Sequence, residues 1–136
     1  IPDVFVSHPA LQLAKAYGVL QGIDEISLDN SGRVSFNGLT DARFNRYVFK
    51  DGESWYLAAR LLSDWYGGWL EWDGEQERLH LELFNKRYMI PKHHPMLKLQ
   101  DGRAYLSLDY LLEEMPLTLI EDEEGLTIRE MAEGLN

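Results

Sequence analysis

Asp51-Gly52-Glu53-Ser54-Trp55-Tyr56-Leu57 leads through Leu61-Leu62 to Trp69-Leu70-Glu71-Trp72, and this pattern recurs later in the chain. Its second appearance is Asp101-Gly102-Arg103-Ala104-Tyr105-Leu106, through Leu111-Leu112 to Leu117-Thr118-Leu119-Ile120-Glu121. Asp-Gly, the Leu-Leu pair and Glu71/Glu121 keep a constant offset, which sets Trp55 against Tyr105 and Leu70 against Ile120. The first copy opens at Phe36-Asn37 and runs through Tyr47-Val48-Phe49-Lys50. The second opens at Phe84-Asn85 and runs through Met96-Leu97-Lys98-Leu99. Each closes on a hairpin pattern. In copy one, Trp69–Trp72 turns at Asp73-Gly74 into Leu79-His80-Leu81. In copy two, Leu117–Ile120 turns at Asp122–Gly125 into Leu126-Thr127-Ile128. An Asp-Gly turn between alternating apolar residues is a hairpin signal.

Each copy therefore reads strand, strand, helix, strand, strand. The helices are expected at about 57–65 and 107–115. In the second, Leu108, Leu111, Leu112 and Met115 share one helical face, Ser107 caps the start, and Pro116 stops the end. Gly67-Gly68 ends the first. Upstream, Pro9 opens and Gly22 closes an amphipathic helix at about 9–21 carrying Leu11, Leu13, Ala14, Tyr17 and Leu20. Residues 23–28 read as a short strand or extended arm. Asp29-Asn30-Ser31-Gly32 reads as a turn, and Arg33–Phe36 as a strand. The expected class is α+β, with two pseudo-repeats of antiparallel strands packed on short helices and an N-terminal helical extension. The expected division is residues 1–32 as helix and arm, 33–128 as one repeat domain (repeats about 33–83 and 84–128), and 129–136 as a tail with a fraying helical turn.

The chain has 136 residues, 45% hydrophobic, with net charge −10 and no cysteine. That length supports a buried core without disulfide or thiolate–metal staples. No apolar run has membrane-spanning length. The acidic balance argues against nucleic acid as partner, since phosphate neutralisation needs clustered Lys and Arg. The sequence opens on Ile1 without a signal-peptide pattern, as in a processed chain or an excised piece of something larger.

The repeat resembles the copper amine oxidase N-terminal-like (stalk) domain of secreted Gram-positive bacterial proteins. Val34-Ser35-Phe36-Asn37-Gly38 is similar to the family's opening strand. Gly52, Trp55 and Tyr56, and again Gly102-Arg103-Ala104-Tyr105-Leu106, are similar to its Gly-Arg-Thr-Tyr-Val segment. Gly68 with Trp72-Asp73 is similar to its close. The likeness covers residues 33–128. The family's Pro is Leu57 and Ser107 here, its Arg is Ala59 and Asp109, and the glycine after the second helix is Pro116. Contacts that depend on that Pro or Arg are thus not carried over. The resemblance implies a noncatalytic accessory module, extracellular or at the cell surface, without cofactor. Its partner would be a cell-wall polymer or a protein. Ala14–Gly22 also shares a helix-to-strand turn with surface-layer homology repeats, a string common to such turns.

No residue pattern signals catalysis or metal binding. His93-His94 are adjacent and point to opposite faces, and no His-x-His or His-Glu-x-x-His spacing exists. Glu121-Asp122-Glu123-Glu124 lacks the alternating oxygens of a calcium loop and reads as a solvated turn. There is no Gly-x-Ser-x-Gly elbow. Arg43, Arg46, Lys50, Lys86, Arg87, Lys92 and Lys98 read as solvated strand faces, with contact to an acidic polymer as the alternative.

The aromatics are the candidate binding residues. All four Trp lie between Trp55 and Trp72. Trp65, Tyr66, Trp69 and Trp72 surround a helix end and could offer a flat platform to sugar rings, peptidoglycan or a protein. Trp69 and Trp72, three apart on a strand, should face opposite sides, so that one can be core and the other partly exposed. The competing reading has all these rings filling the core. A second functional expectation is a structural or assembly subunit that oligomerises through Phe5, Val6 and the 9–21 helix.

Overall fold

The computed structural model describes residues 9–131. In chain order the elements are α1 (Pro9–Gln21), β1 (Glu25–Asp29), β2 (Val34–Phe36), β3 (Leu39–Thr40), a 3-10 turn (Ala42–Tyr47), β4 (Val48–Asp51) and β5 (Ser54–Ala58). Then follow α2 (Ala59–Tyr66), β6 (Trp69–Asp73), β7 (Arg78–Leu83), β8 (Lys86–Pro91), β9 (Leu97–Gln100), β10 (Arg103–Ser107), α3 (Leu108–Glu114), β11 (Leu117–Glu121) and β12 (Gly125–Glu130). Every strand pairing is antiparallel, so the class is α+β. Phe5, Val6, Ser7 and His8 lie outside the described residues, as do 132–136. Arg129 and Glu130, expected in a helical tail, are strand residues of β12.

Two compact units divide the chain. One joins Ile1–Arg46 to Pro116–Asn136; the other is Tyr47–Met115. In the first, one five-stranded sheet runs β11-β12-β1-β2-β3. Residues 23–28, expected as a strand or arm, supply β1 to the middle of this sheet. β1 lies between β12 (Ile26 opposite Ile128) and β2 (Ile26 opposite Phe36). Alternation buries Ile26, Leu28, Val34, Phe36 and Ile128 on one face. Leu11, Ala14 and Gly18 of α1 are buried, and α1 packs on β2.

Asn37 fastens this unit. Its backbone is left-handed (φ 53), which Asn tolerates, and Gly38 follows at φ 83 to close the two-residue β2–β3 turn. Buried, its Oδ1 accepts the Glu25 N–H at 2.7 Å and its Nδ2 donates to the Ala14 carbonyl at 2.8 Å. One side chain thus ties α1 to β1 from the end of β2. The fit is close: a Cβ on Gly18 would stand 2.1 Å from Asn37 Nδ2. At the far end, Asp29 Oδ1 accepts N–H bonds from Ser31 and Arg33 and the Ser31 hydroxyl proton, which holds its carboxyl below the usual range. The expected acidic turn closes β11–β12, where Asp122 Oδ1 accepts the Glu124 and Gly125 N–H groups.

The second unit holds a four-stranded sheet, β4-β5-β10-β9, and a three-stranded sheet, β6-β7-β8. The element order of both repeats is as the sequence indicates: β4-β5-α2-β6-β7, then β9-β10-α3-β11-β12. Their register is not constant. Leu57 pairs with Val48 as Leu106 pairs with Leu97, so Tyr56, not Trp55, is the counterpart of Tyr105. Asp73 ends β6 where Glu121 ends β11, so Trp72, not Leu70, is the counterpart of Ile120. Copy one thus carries one extra residue between these points, and it sits at the helix end. Gly67 adopts φ 75 and Gly68 N–H reaches the Ser63 carbonyl at 2.7 Å. In α3, Pro116 instead forces Met115 to φ −116, ψ 156, and the chain enters β11 at once. α2 begins two residues later than expected because β5 continues to Ala58.

α2 packs on β5 and β10 and also on β6 and β7. Leu61, Leu62 and Trp65 form its buried stripe. Phe49 stacks on Tyr56 at 5.2 Å and meets Tyr105 edge-on at 4.9 Å, while Lys98 pairs with Asp51. Tyr88 donates its hydroxyl proton to the Glu114 carbonyl. Burial, with the nearby Glu114 carboxylate and Tyr88, pushes the Tyr110 phenol up to about 12.

Candidate functional site

The four aromatics named from the sequence separate. Trp65 is 3% exposed and is core, which corrects its reading as a binding residue: it continues the α2 stripe with Leu61 and Leu62. Tyr66, one residue on, is half-buried with its ring 5.0 Å from Phe84. Trp69 and Trp72 lie on opposite faces of β6, as spacing requires. Neither is core: they are 45% and 40% exposed. The cause is position. β6 is an edge strand, so Trp72, opposite Leu79 on the inward face, has a neighbour strand on one side alone.

Trp69 stands on the outward face of β6-β7-β8. The pairing places Trp69 opposite Glu82, Glu71 opposite His80, Glu82 opposite Arg87 and His80 opposite Met89. The alternation in Arg78–Leu83 drives this: Leu79, Leu81 and Leu83 turn inward, so Arg78, His80 and Glu82 turn outward. The Trp69 ring meets the His80 ring edge-on, centroids 4.9 Å apart. Enclosed there, His80 Nε2 has no hydrogen-bond partner. Arg87 reaches Glu82 at 3.4 Å, and Arg78 reaches Asp73 at 3.5 Å. Beside Trp69 a shallow open groove of about 620 Å³ is lined by Gly67, Gly68, Glu82, Phe84, Asn85 and Arg87, among others. Gly68 permits the close approach of its floor, since a Cβ there would stand 2.2 Å from the Glu82 carbonyl oxygen.

The arrangement offers one indole flanked by a carboxylate–guanidinium pair. An exposed aromatic face offers apolar area, and a charged pair beside it offers hydrogen-bond donors and acceptors. The sequence singles out Trp69 and counts Arg87 in the basic strip, but does not bring His80 and Glu82 beside them. The period-2 alternation of β7 and the short turn to β8 were the available signals.

Several of the remaining candidates have partners within the chain. His94 Nδ1 accepts the Met96 N–H at 3.0 Å, and its ring meets Tyr110 edge-on. Arg43, Lys92 and Lys98 pair with Asp41, Glu77 and Asp51 respectively. Among the described residues, no three His, Asp or Glu side chains converge as a metal site would require. No helix among them is long and apolar enough to cross a membrane. No family model, curated protein or solved structure matches the chain.

Proposed function

We propose that this chain is a noncatalytic accessory module of a bacterial cell-envelope or secreted protein, and that its outward β6-β7-β8 face binds a wall polysaccharide. The compartment and the accessory role rest on the resemblance of the repeat to the stalk-domain family. The ligand class rests on one observation: Trp69, 45% exposed, has its edge contact to His80 and the Glu82–Arg87 pair beside an open groove. An exposed indole backed by a ring and flanked by planar polar groups gives apolar area at low entropic cost. The module would otherwise serve as a spacer that presents neighbouring domains.

Intrinsic tryptophan fluorescence, titrated with soluble peptidoglycan fragments, tests this. Trp69 and Trp72 supply the solvent-sensitive signal, because Trp55 and Trp65 are buried. The expected result is a saturable shift that Trp69→Ala abolishes and Trp72→Phe retains. A shift that survives Trp69→Ala, or none at all, removes the sugar-binding reading and leaves the spacer.

A further inference from the structure

We propose that Asn37-Gly38 is a self-modification site guarded by α1: once the helix lifts, the Asn37 amide converts to a carboxylate and the helix no longer seats as before. Among the described residues the asparagines are Asn30, Asn37, Asn45 and Asn85, followed by Ser31, Gly38, Arg46 and Lys86. Gly38 alone puts no side chain in the way of its own backbone nitrogen. That nitrogen, on losing its proton, attacks Asn37 Cγ. A C–N bond forms, the Cγ–Nδ2 bond breaks, and Nδ2 leaves as ammonia with the proton. Water then opens the cyclic imide at Cγ, giving aspartate, or at the backbone carbonyl, giving its β-linked isomer. The balance is amide plus water to carboxylic acid plus ammonia, with nothing oxidised or reduced.

The folded chain holds this step back. Asn37 is 2% exposed, so the water that must take the Gly38 proton and protonate the leaving nitrogen is shut out. Both ends of the carboxamide are bound, Oδ1 to the Glu25 N–H and Nδ2 to the Ala14 carbonyl. The Asn37 N–H donates to the Glu25 carbonyl at 2.8 Å, which fixes the backbone as well. Gly18 closes the space beside Nδ2, where a Cβ would stand 2.1 Å away. Ala14 and Gly18 belong to α1, so the helix covers the amide. α1 is also lightly held. Its buried residues are Leu11, Ala14 and Gly18, of which Leu11 alone is large, while Leu13, Val19 and Leu20 face solvent. An element with so little buried apolar area opens ahead of the central strands. After conversion, an oxygen replaces Nδ2 opposite the Ala14 carbonyl, and a negative charge stands where water is excluded. The β-linked isomer also lengthens the β2–β3 turn by one backbone atom. α1 loses its tie, and because ammonia has left, the change does not reverse.

Peptide mass spectrometry on the full chain, held in mildly alkaline buffer, reads the amide-to-acid mass gain at position 37. The ratio of its rate in urea to its rate in the folded chain measures how strongly folding protects the amide. The Glu25 amide proton is released with the Asn37 side chain, so its protection from hydrogen exchange should equal that ratio. The Ile26 amide, central in the five-stranded sheet, should be protected more. Leu11→Ala should speed conversion at position 37 at least about tenfold, because cutting back a buried leucine raises the open population by that much or more. Leu20→Ala, at an exposed position, should leave the rate unchanged. Folded chain separated by its added negative charge should exchange faster at Glu25 than unconverted chain. Conversion as fast in the folded chain as in urea overturns the proposal. So does protection of Asn37 that matches Ile26 instead of Glu25, which would make unfolding of the whole sheet the releasing event. That comparison uses wild type alone and stands even where Leu11→Ala does not fold.

Discussion

Asn37→Ala is the perturbation whose cost the structure specifies most closely. Two terms contribute. The Glu25 N–H, bound to Asn37 Oδ1 at 2.7 Å, loses its acceptor beside a buried side chain, which costs about 1–3 kcal/mol. Alanine must also hold φ 53, which costs about 1 kcal/mol that Asn is suited to bear. The Ala14 carbonyl adds little, because its helical position supplies another donor. The sum is about 2–4 kcal/mol. Asn37→Gly separates the terms: it removes the backbone penalty and should recover about 1 kcal/mol. Asn37→Asp keeps the acceptor but turns an oxygen toward the Ala14 carbonyl at the 2.8 Å now spanned by a donor, and should cost as much as Ala. Urea unfolding reads the size of the effect, and hydrogen exchange at the Glu25 amide reads its place. Asn37→Ala within about 0.5 kcal/mol of wild type would refute the assignment. So would unchanged protection at Glu25.

Two further outcomes follow from the second unit. Gly68→Ala should lose about 2 kcal/mol, because its Cβ meets the Glu82 backbone oxygen, whereas Gly74→Ala, with open space around it, should be neutral in the same urea series. Alkaline stability should reflect Tyr110. Its folded pKa is raised to about 12 from 10.0, so the unfolded chain ionises first. Stability is then intact below pH 10 and falls as pH rises to about 12, by up to about 1.4 kcal/mol per pH unit. Tyr110→Phe should flatten that slope in urea unfolding followed by phenolate absorbance, and an unchanged slope would contradict the burial argument.

Local punctuation made much of the fold legible. Pro9 and Gly22 bound α1, Asp51-Gly52 and Asp101-Gly102 mark the hairpins, and Pro116 marks the end of α3. Non-local pairing was not legible. Nothing in Glu25–Asp29 says that β12, almost a hundred residues away, is its neighbour. That pairing turns an expected arm into a central strand. The constant offset of the repeats also misled, because Asp-Gly sits inside the second turn and at the edge of the first: Asp51 still pairs with Ser54, while Asp101 has φ 52. At the site, three-residue spacing correctly put Trp69 and Trp72 on opposite faces. It could not reveal that β6 is an edge, and an edge leaves both rings in solvent. Trp65 entered the candidate set by proximity in sequence, while the helical stripe with Leu61 and Leu62 carries it inward.

Co-sedimentation with purified peptidoglycan sacculi tests wall binding by the outward β6-β7-β8 face. The proposed sugar-binding face predicts that wild type and Trp72→Phe pellet with the wall material, while Trp69→Ala and Arg87→Ala, folded by circular dichroism, stay in solution. Equal pelleting of Trp69→Ala and wild type, or no pelleting of wild type, would contradict it.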